Sequence, residues 1–139
     1  MCGIAGFGLF NFDEGGEASL RAMHQAIYHR GPDASGTYID QYIGLCHRRL
    51  SILDLSEAGN QPMYSKDGDL VIVFNGEIYN FLELRAELEN DGVTFKSHTD
   101  TEVILELYAR EGTKCLDKLN GMFAFALWDK NKQELFIAR

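Results

Sequence analysis

Leu70-Val71-Ile72-Val73-Phe74 is an unbroken apolar run, rich in β-branched residues, and it constrains the fold more than any other stretch. Such residues favour a strand, and a strand with one wet face would alternate apolar with polar positions. An uninterrupted run buries both faces. Its sheet therefore needs one packed layer above and another below.

The rest of the chain is consistent with a layered domain. At 139 residues it is one domain, spanning 1–139. Hydrophobic residues make up 45% and charged residues 24%, which excludes a disordered chain. The net charge of −8 with no basic block excludes a nucleic-acid phosphate backbone as partner. The longest apolar run, 122–128, is far short of the roughly 20 residues of a membrane helix. The N-terminal stretch is uncharged, lacks a basic segment and runs directly into acidic residues. It is therefore no secretory signal, and a cytoplasmic location is expected. The three cysteines are widely spaced, no Cys-x-x-Cys pair occurs, and the four histidines are scattered. Neither a disulfide framework nor a metal site is expected.

Spacing and turn signals give an element order. Strands are expected over 4–10, 36–39, 43–52, 70–74, 93–96, 122–128 and 134–138, and helices over 19–28, 81–90 and 103–109. Arg30-Gly31-Pro32-Asp33 reads as a stop and turn, and Lys66-Asp67-Gly68-Asp69 as a hairpin turn. Asn75-Gly76 interrupts the central strand, with 77–80 continuing it. Gly92 ends the second helix. Thr99-Asp100-Thr101-Glu102 fits a capping box before the third. Strands cluster and helices cluster, so the class is α+β in layers rather than alternating βαβ.

Two features carry chemistry. Removal of the initiator Met would leave Cys2 as the first residue, with a thiol and a free α-amine on one carbon. That amine has an ordinary pKa of about 7.7–8.0 and can act as a base at neutral pH, so nucleophile and base would share one residue. The plain alternative is a small buried cysteine. Asn75-Gly76 is the commonest hairpin-turn dipeptide, yet the residues that follow lead into a helix. The other reading is an oxyanion hole: Asn offers a side-chain N–H, and Gly lets a backbone N–H approach a reacting carbonyl.

Six ordered segments then carry a resemblance: Met1-Cys2-Gly3-Ile4-Ala5-Gly6, His29-Arg30-Gly31-Pro32-Asp33, Arg49-Leu50-Ser51-Ile52, Asn75-Gly76-Glu77-Ile78-Tyr79-Asn80, Thr99-Asp100-Thr101-Glu102-Val103 and Gly121-Met122-Phe123-Ala124-Phe125. They resemble class II glutamine amidotransferases, and most closely the N-terminal glutaminase domain of the asparagine synthetase family. The resemblance covers essentially the whole chain. It implies an N-terminal-nucleophile fold, a four-layer αββα sandwich of two antiparallel sheets. It implies hydrolysis of L-glutamine to glutamate and ammonia through a thioester on Cys2, with Asn75 and Gly76 holding the oxyanion. It places the substrate against Arg49, Leu50, Ser51, Ile52, Leu53, Asn75, Gly76, Glu77 and Asp100.

Charge supports that placement. Glutamine carries a carboxylate and an ammonium, so its pocket needs a cation and an anion. Arg49 suits the first through its planar fork, and Asp100, assisted by Glu77, suits the second. The alternatives are a surface salt bridge for Arg49, a favourable first-turn charge for Asp100 and a solvated turn residue for Glu77. Arg30–Asp33 reads as a rigid turn that, by the resemblance, also lies near the nucleophile. Cys46 and Cys115 read as buried small residues, and 122–128 as core.

By the same resemblance the domain needs no cofactor. ATP and Mg²⁺ belong to a C-terminal synthetase domain that family members carry and that is missing here. The sheets are expected to be C-terminally truncated, since the family continues past Arg139 with further strands. Exposed sheet edges would then favour self-association into a homo-oligomer. Two rival readings share the sequence features. One is a class II amidotransferase delivering ammonia to a sugar or cell-surface precursor. The other is a glutamine-binding module without catalysis.

Overall fold

The computed structural model describes residues 2–8, 15–51 and 56–139. Among them the order is β1 (Gly3–Gly8), α1 (Gly16–Ala26), β2 (Ala34–Ile39), β3 (Ile43–Arg49), β4 (Met63–Tyr64), β5 (Leu70–Ile78), α2 (Phe81–Asn90), α3 (Asp100–Glu111), β6 (Gly121–Asp129) and β7 (Glu134–Ala138). Two antiparallel sheets form, in the orders β1-β3-β2 and β4-β5-β6-β7.

The apolar run sits in β5, and its faces meet different layers. Leu70, Ile72 and Phe74 join Leu84 and Leu88 of α2 and Val103, Ile104 and Leu107 of α3 in one core. Val71 and Val73 join Ile43 and Leu45 of β3 and Trp128 of β6 in a second core between the sheets. Burying each such side chain stabilises the fold by about 1.5–3 kcal/mol, so β5 anchors both cores. On the far side, α1 packs on the three-stranded sheet, where Arg48 Nε donates to the His24 carbonyl at 3.2 Å. The layers are therefore helix, sheet, sheet, helices, as expected. An apolar groove of about 550 Å³ runs between the sheets, lined by Ile4 and Phe7 of β1 and Leu135 and Ile137 of β7.

Three expectations need correction. Asn75-Gly76 does not interrupt β5. All nine positions, from Leu70 opposite Asp129 to Ile78 opposite Gly121, pair with β6. Pairing with β4 covers only Val71 and Ile72, so among the described residues the second half of β5 has an edge with no strand beside it. Residues 93–96 form no strand. Val93 N–H instead closes α2 onto the Leu88 carbonyl at 2.9 Å, and Lys96 N–H goes to Glu102, leaving no ladder to join. Not all of 122–128 is core, because Met122 is 66% exposed. The strand expected over 4–10 ends at Gly8; residues 9 and 10 lie outside the described residues.

The start of α3 is fixed by a wider arrangement than the expected capping box. Thr99 is the N-cap, and its Oγ1 accepts from Glu102 N–H at 3.3 Å. In a standard box the Glu reaches back to the N-cap amide. Here the Glu102 carboxylate reaches further. Oε1 accepts from Lys96 N–H at 2.9 Å, and Oε2 accepts from Ser97 N–H at 2.7 Å and Ser97 Oγ at 2.6 Å. Ser97, Thr99 and Glu102 are all buried. Replacing Glu102 with Ala leaves those donors unpaired, and the unfolding free energy is expected to fall by about 2 kcal/mol. Urea denaturation measures this, and an unchanged midpoint would show that water replaces the carboxylate.

Candidate active site

Strand alternation on β3 sends Ile43, Leu45, His47 and Arg49 to the inner face of the sandwich. The first two enter the inter-sheet core. His47 is fully buried and spans to the other sheet, with Nε2 3.2 Å from the Phe74 carbonyl. A carbonyl only accepts, so the proton is on Nε2. His47 Nδ1 is buried without a partner, as suits an unprotonated ring nitrogen. Burial drops the imidazole pKa to about 4, which keeps it neutral. Arg49 ends the row at 5% exposure, its Nη1 donating at 2.8 Å to both the Ser56 carbonyl and Asn60 Oδ1.

Register brings Cys2 to the same place. Gly3 of β1 stands opposite Arg48, so Cys2, one step further, lies alongside Arg49. Its sulfur accepts from Leu50 N–H at 3.4 Å and donates to the Leu50 carbonyl at 3.6 Å. The Arg30–Asp33 turn braces this corner. Arg30 Nη2 donates to the Cys2 carbonyl at 3.4 Å. Asp33 N–H donates to the Arg49 carbonyl at 3.1 Å, and Asp33 Oδ2 accepts from Ser51 N–H at 2.8 Å. A Cβ on Gly31 would stand 2.5 Å from the backbone of Arg48 and Arg49, so the close approach needs glycine.

The other wall is the strandless edge of β5. Residues 74, 76 and 78 present their backbone groups to this edge, because alternate residues of a strand point the same way. Phe74 N–H donates to Gln61 Oε1 at 2.6 Å. Ile78 N–H donates to Asp100 Oδ2 at 3.0 Å. Alternation turns the Gly76 N–H to the same edge, between the two. Gly76 has φ +155°, and a Cβ there would stand 2.3 Å from the Met122 carbonyl oxygen. Asn75 Oδ1 is buried without a partner, and the residue lines the space in front of this edge.

These walls enclose a cavity of about 140 Å³ lined by Cys2, Arg49, Leu50, Asn75, Gly76, Glu77 and Asp100, with Gly59, Gln61, Phe74, Thr99, Thr101 and Met122. Seven expected site residues thus meet in one space. Ser51 does not line it and instead holds Asp33. Ile52 and Leu53 lie outside the described residues. Arg49 contributes a cation to the lining, and Asp100 and Glu77 contribute carboxylates. Burial pushes the Asp100 carboxyl above its ordinary range, the Glu77 charge adds to this, and the Ile78 amide pulls the other way. The sequence reading missed Gln61, Thr101 and Met122. A Gln in a turn-rich segment, or a Thr in a helix first turn, carries no signal until the fold brings it to a backbone edge.

Comparison with known proteins decides the family. The family model described as "Glutamine amidotransferase domain" matches residues 1–139. This chain belongs to the glutamine amidotransferase domain family. The amidotransferase domain is 45% identical over 146 residues to asparagine synthetase [glutamine-hydrolyzing] 1 of Bacillus subtilis (strain 168), covering 100% of this chain and 22% of that protein. It is 44% identical over 142 residues to asparagine synthetase B [glutamine-hydrolyzing] of Escherichia coli (strain K12), covering 100% of this chain and 25% of that protein. The chain therefore spans about a quarter or less of these relatives. Among solved structures, it is similar to the glutamine phosphoribosylpyrophosphate amidotransferase from B. subtilis complexed with ADP and GMP. There the TM-score is 0.60 at 26% identity, over 72% of this chain and 23% of that one. The four layers of the amidotransferase domain are the N-terminal-nucleophile sandwich that the resemblance implied. Among the described residues no helix is long and apolar enough to cross a membrane.

His47 gives the amidotransferase domain a pH signature. Its pKa is about 4 when folded against an ordinary 6.5, so the unfolded chain binds the extra proton between those values. Stability is then fully present above pH 6.5 and is lost as pH falls towards 4, with a slope of up to about 1.4 kcal/mol per pH unit. Denaturation midpoints between pH 7 and 5 are expected to fall in the native protein and to flatten in His47→Gln. Parallel curves for the two proteins would refute this assignment.

Proposed function

We propose that this domain hydrolyses the side-chain amide of L-glutamine, with Cys2 as the nucleophile once Met1 is removed. The observation that carries the reading is one cavity whose lining joins Cys2, Asn75 and Gly76 with the basic Arg49 and the acidic Asp100 and Glu77. A small amino acid with its carboxylate at Arg49 and its ammonium at Asp100 and Glu77 would extend its side chain between thiol and donors. Arg49 suits a carboxylate because its guanidinium is always charged and forked.

The steps follow from the chemistry of these groups. The α-amine of Cys2 takes the thiol proton, and sulfur bonds to the amide carbon. The carbonyl oxygen becomes an oxyanion, which accepts from Gly76 N–H and the Asn75 amide. Each such donor stabilises the transition state by about 3 kcal/mol. The ammonium of Cys2 returns its proton to the leaving nitrogen, the carbon–nitrogen bond breaks, and ammonia departs, leaving a thioester. Water, deprotonated by the same amine, attacks that thioester. The carbon–sulfur bond breaks and glutamate leaves. A binding module needs no thiol beside paired donors, so the cavity favours catalysis.

Similarity over the whole of this chain to a share, 22% and 25%, of two glutamine-hydrolyzing asparagine synthetases supports a finer reading. The ammonia would serve ATP-dependent asparagine synthesis from aspartate, in a synthetase domain outside this chain. The lower identity to the phosphoribosylpyrophosphate enzyme ranks other acceptors second.

Intact mass is expected to show Met1 absent in active protein. Cys2→Ala is expected to abolish ammonia release while glutamine still binds, and loss of both would point to a collapsed pocket. Asp100→Asn is expected to raise KM for glutamine about tenfold or more, the loss of one charged hydrogen bond. The ionised Asp100 is the form that holds an ammonium. KM should therefore rise on acidification, starting above the ordinary carboxylate range because burial raises this pKa. In Asp100→Asn that pH dependence should vanish. A KM insensitive to both changes would place the substrate ammonium elsewhere.

A further inference from the structure

We propose that Gln61 is a positioning residue for this reaction, which clamps the Phe74 peptide and so fixes the Asn75 and Gly76 donors that follow it. The inference rests on the glutaminase reading above. Gln61 is 8% exposed and belongs to no strand or helix. Its Oε1 accepts from Phe74 N–H at 2.6 Å, and its Nε2 donates to Thr101 Oγ1 at 3.3 Å. The amide orientation is unambiguous, since an N–H requires the oxygen end.

The position of these bonds sets the role. Pairing of β4 with β5 stops at Ile72. Beyond it, among the described residues, the sheet supplies no neighbouring strand to hold the edge on which oxyanion donors must be placed. Gln61 holds the amide two residues before Gly76, and Asp100 holds the amide two residues after it. Both bonds lead to the first turn of α3, through Thr101 and Asp100. The donor strand and the carboxylate for the substrate ammonium thus share one frame. Gln61 touches no reacting atom in this scheme and acts through Phe74. Displacing a donor by a fraction of an ångström weakens transition-state binding far more than ground-state binding.

The test compares wild type with Gln61→Met in the whole protein. Met keeps length and bulk but neither hydrogen bond. The readouts are steady-state glutamine hydrolysis, glutamine affinity in a Cys2→Ala background, and inhibition by glutamate γ-semialdehyde. That aldehyde adds the thiol across its C=O, forming a carbon–sulfur bond and an oxyanion with no leaving group. It therefore reports the hole alone. Hydrogen exchange of the Phe74 amide reports the clamp without any substrate.

The expected result is a loss of kcat of about tenfold to a hundredfold, with a matching rise in the aldehyde inhibition constant. Glutamine affinity should stay within about threefold, by the same argument that only transition-state contacts are disturbed. The Phe74 amide should exchange faster, with the Asn75 amide and the other amides of the β5–β6 ladder unchanged. If Gln61→Met does not fold, Thr101→Val, which frees only the Nε2 end, should give the same pattern at about fivefold, the worth of one neutral hydrogen bond. Unchanged kcat, or glutamine affinity falling in step with kcat, overturns the proposal. Unchanged exchange at the Phe74 amide overturns it whatever the kinetics. A processed wild type that releases no ammonia defeats the glutaminase reading itself, and the exchange data then show separately whether the clamp exists.

Discussion

Among the described residues the second half of β5 has a strand on one side only, and the site is built on that asymmetry. Backbone N–H groups that leave water must be paired. β4 satisfies the strand as far as Ile72, and side chains take over beyond it. Gln61 and Asp100 take the amides of Phe74 and Ile78, while His47 takes the carbonyl of Phe74 from the opposite sheet. A longer β4 would have paired this edge as ordinary sheet and closed the space in front of Gly76. The shortness of one strand, at two residues, thus turns a structural element into a surface of aimed donors.

The first turn of α3 supplies the other half of the electrostatics. A buried carboxylate is costly, and burial does push the Asp100 carboxyl upward. The helix N-terminus and the Ile78 amide offset part of that cost. The turn is held in place by Thr99 and by Glu102, whose carboxylate gathers three donors from Lys96 and Ser97. Stability and charge placement at this corner are one design: loosening the cap would move Asp100.

The layers, both cores and most elements were legible in the sequence because they follow from periodicity. An apolar run over 70–74 demands two covering layers, and the capping pattern at 99–102 marks the start of α3. Cys2, Arg49, Asn75, Gly76 and Asp100 stood out only through the ordered segments that carry the family resemblance, because each residue type taken singly also suits a bland role. Gln61 did not. Its function comes from a backbone edge that exists only after β5 has outrun β4, and no local pattern encodes that. Residues 93–96 failed for the opposite reason. Val93 and Phe95 look like a strand, but their apolar side chains pack on the first core, while Val93 N–H closes a helix and Lys96 N–H meets a carboxylate.

The position of the cavity explains how the two sheets divide the work. The three-stranded sheet ends in Cys2, Arg49 and Leu50, and the four-stranded sheet in Asn75, Gly76 and Glu77. Neither sheet holds both a thiol and its complementary donors, so relative placement of the layers matters as much as any residue. Val71, Val73, Ile43 and Leu45 fix the separation of the sheets by packing, which is not directional. His47 adds the directional element. Its ring is the one side chain of the β3 row that bonds across the sandwich to the peptide before Asn75. Keeping a neutral imidazole in this core strands one ring nitrogen without a partner, at a desolvation cost of about 1–3 kcal/mol. An apolar residue would avoid that cost but would leave the Phe74 carbonyl unpaired and the sheets able to slide. That cost accompanies the registering of the strand that follows Cys2 against the strand that holds Asn75 and Gly76.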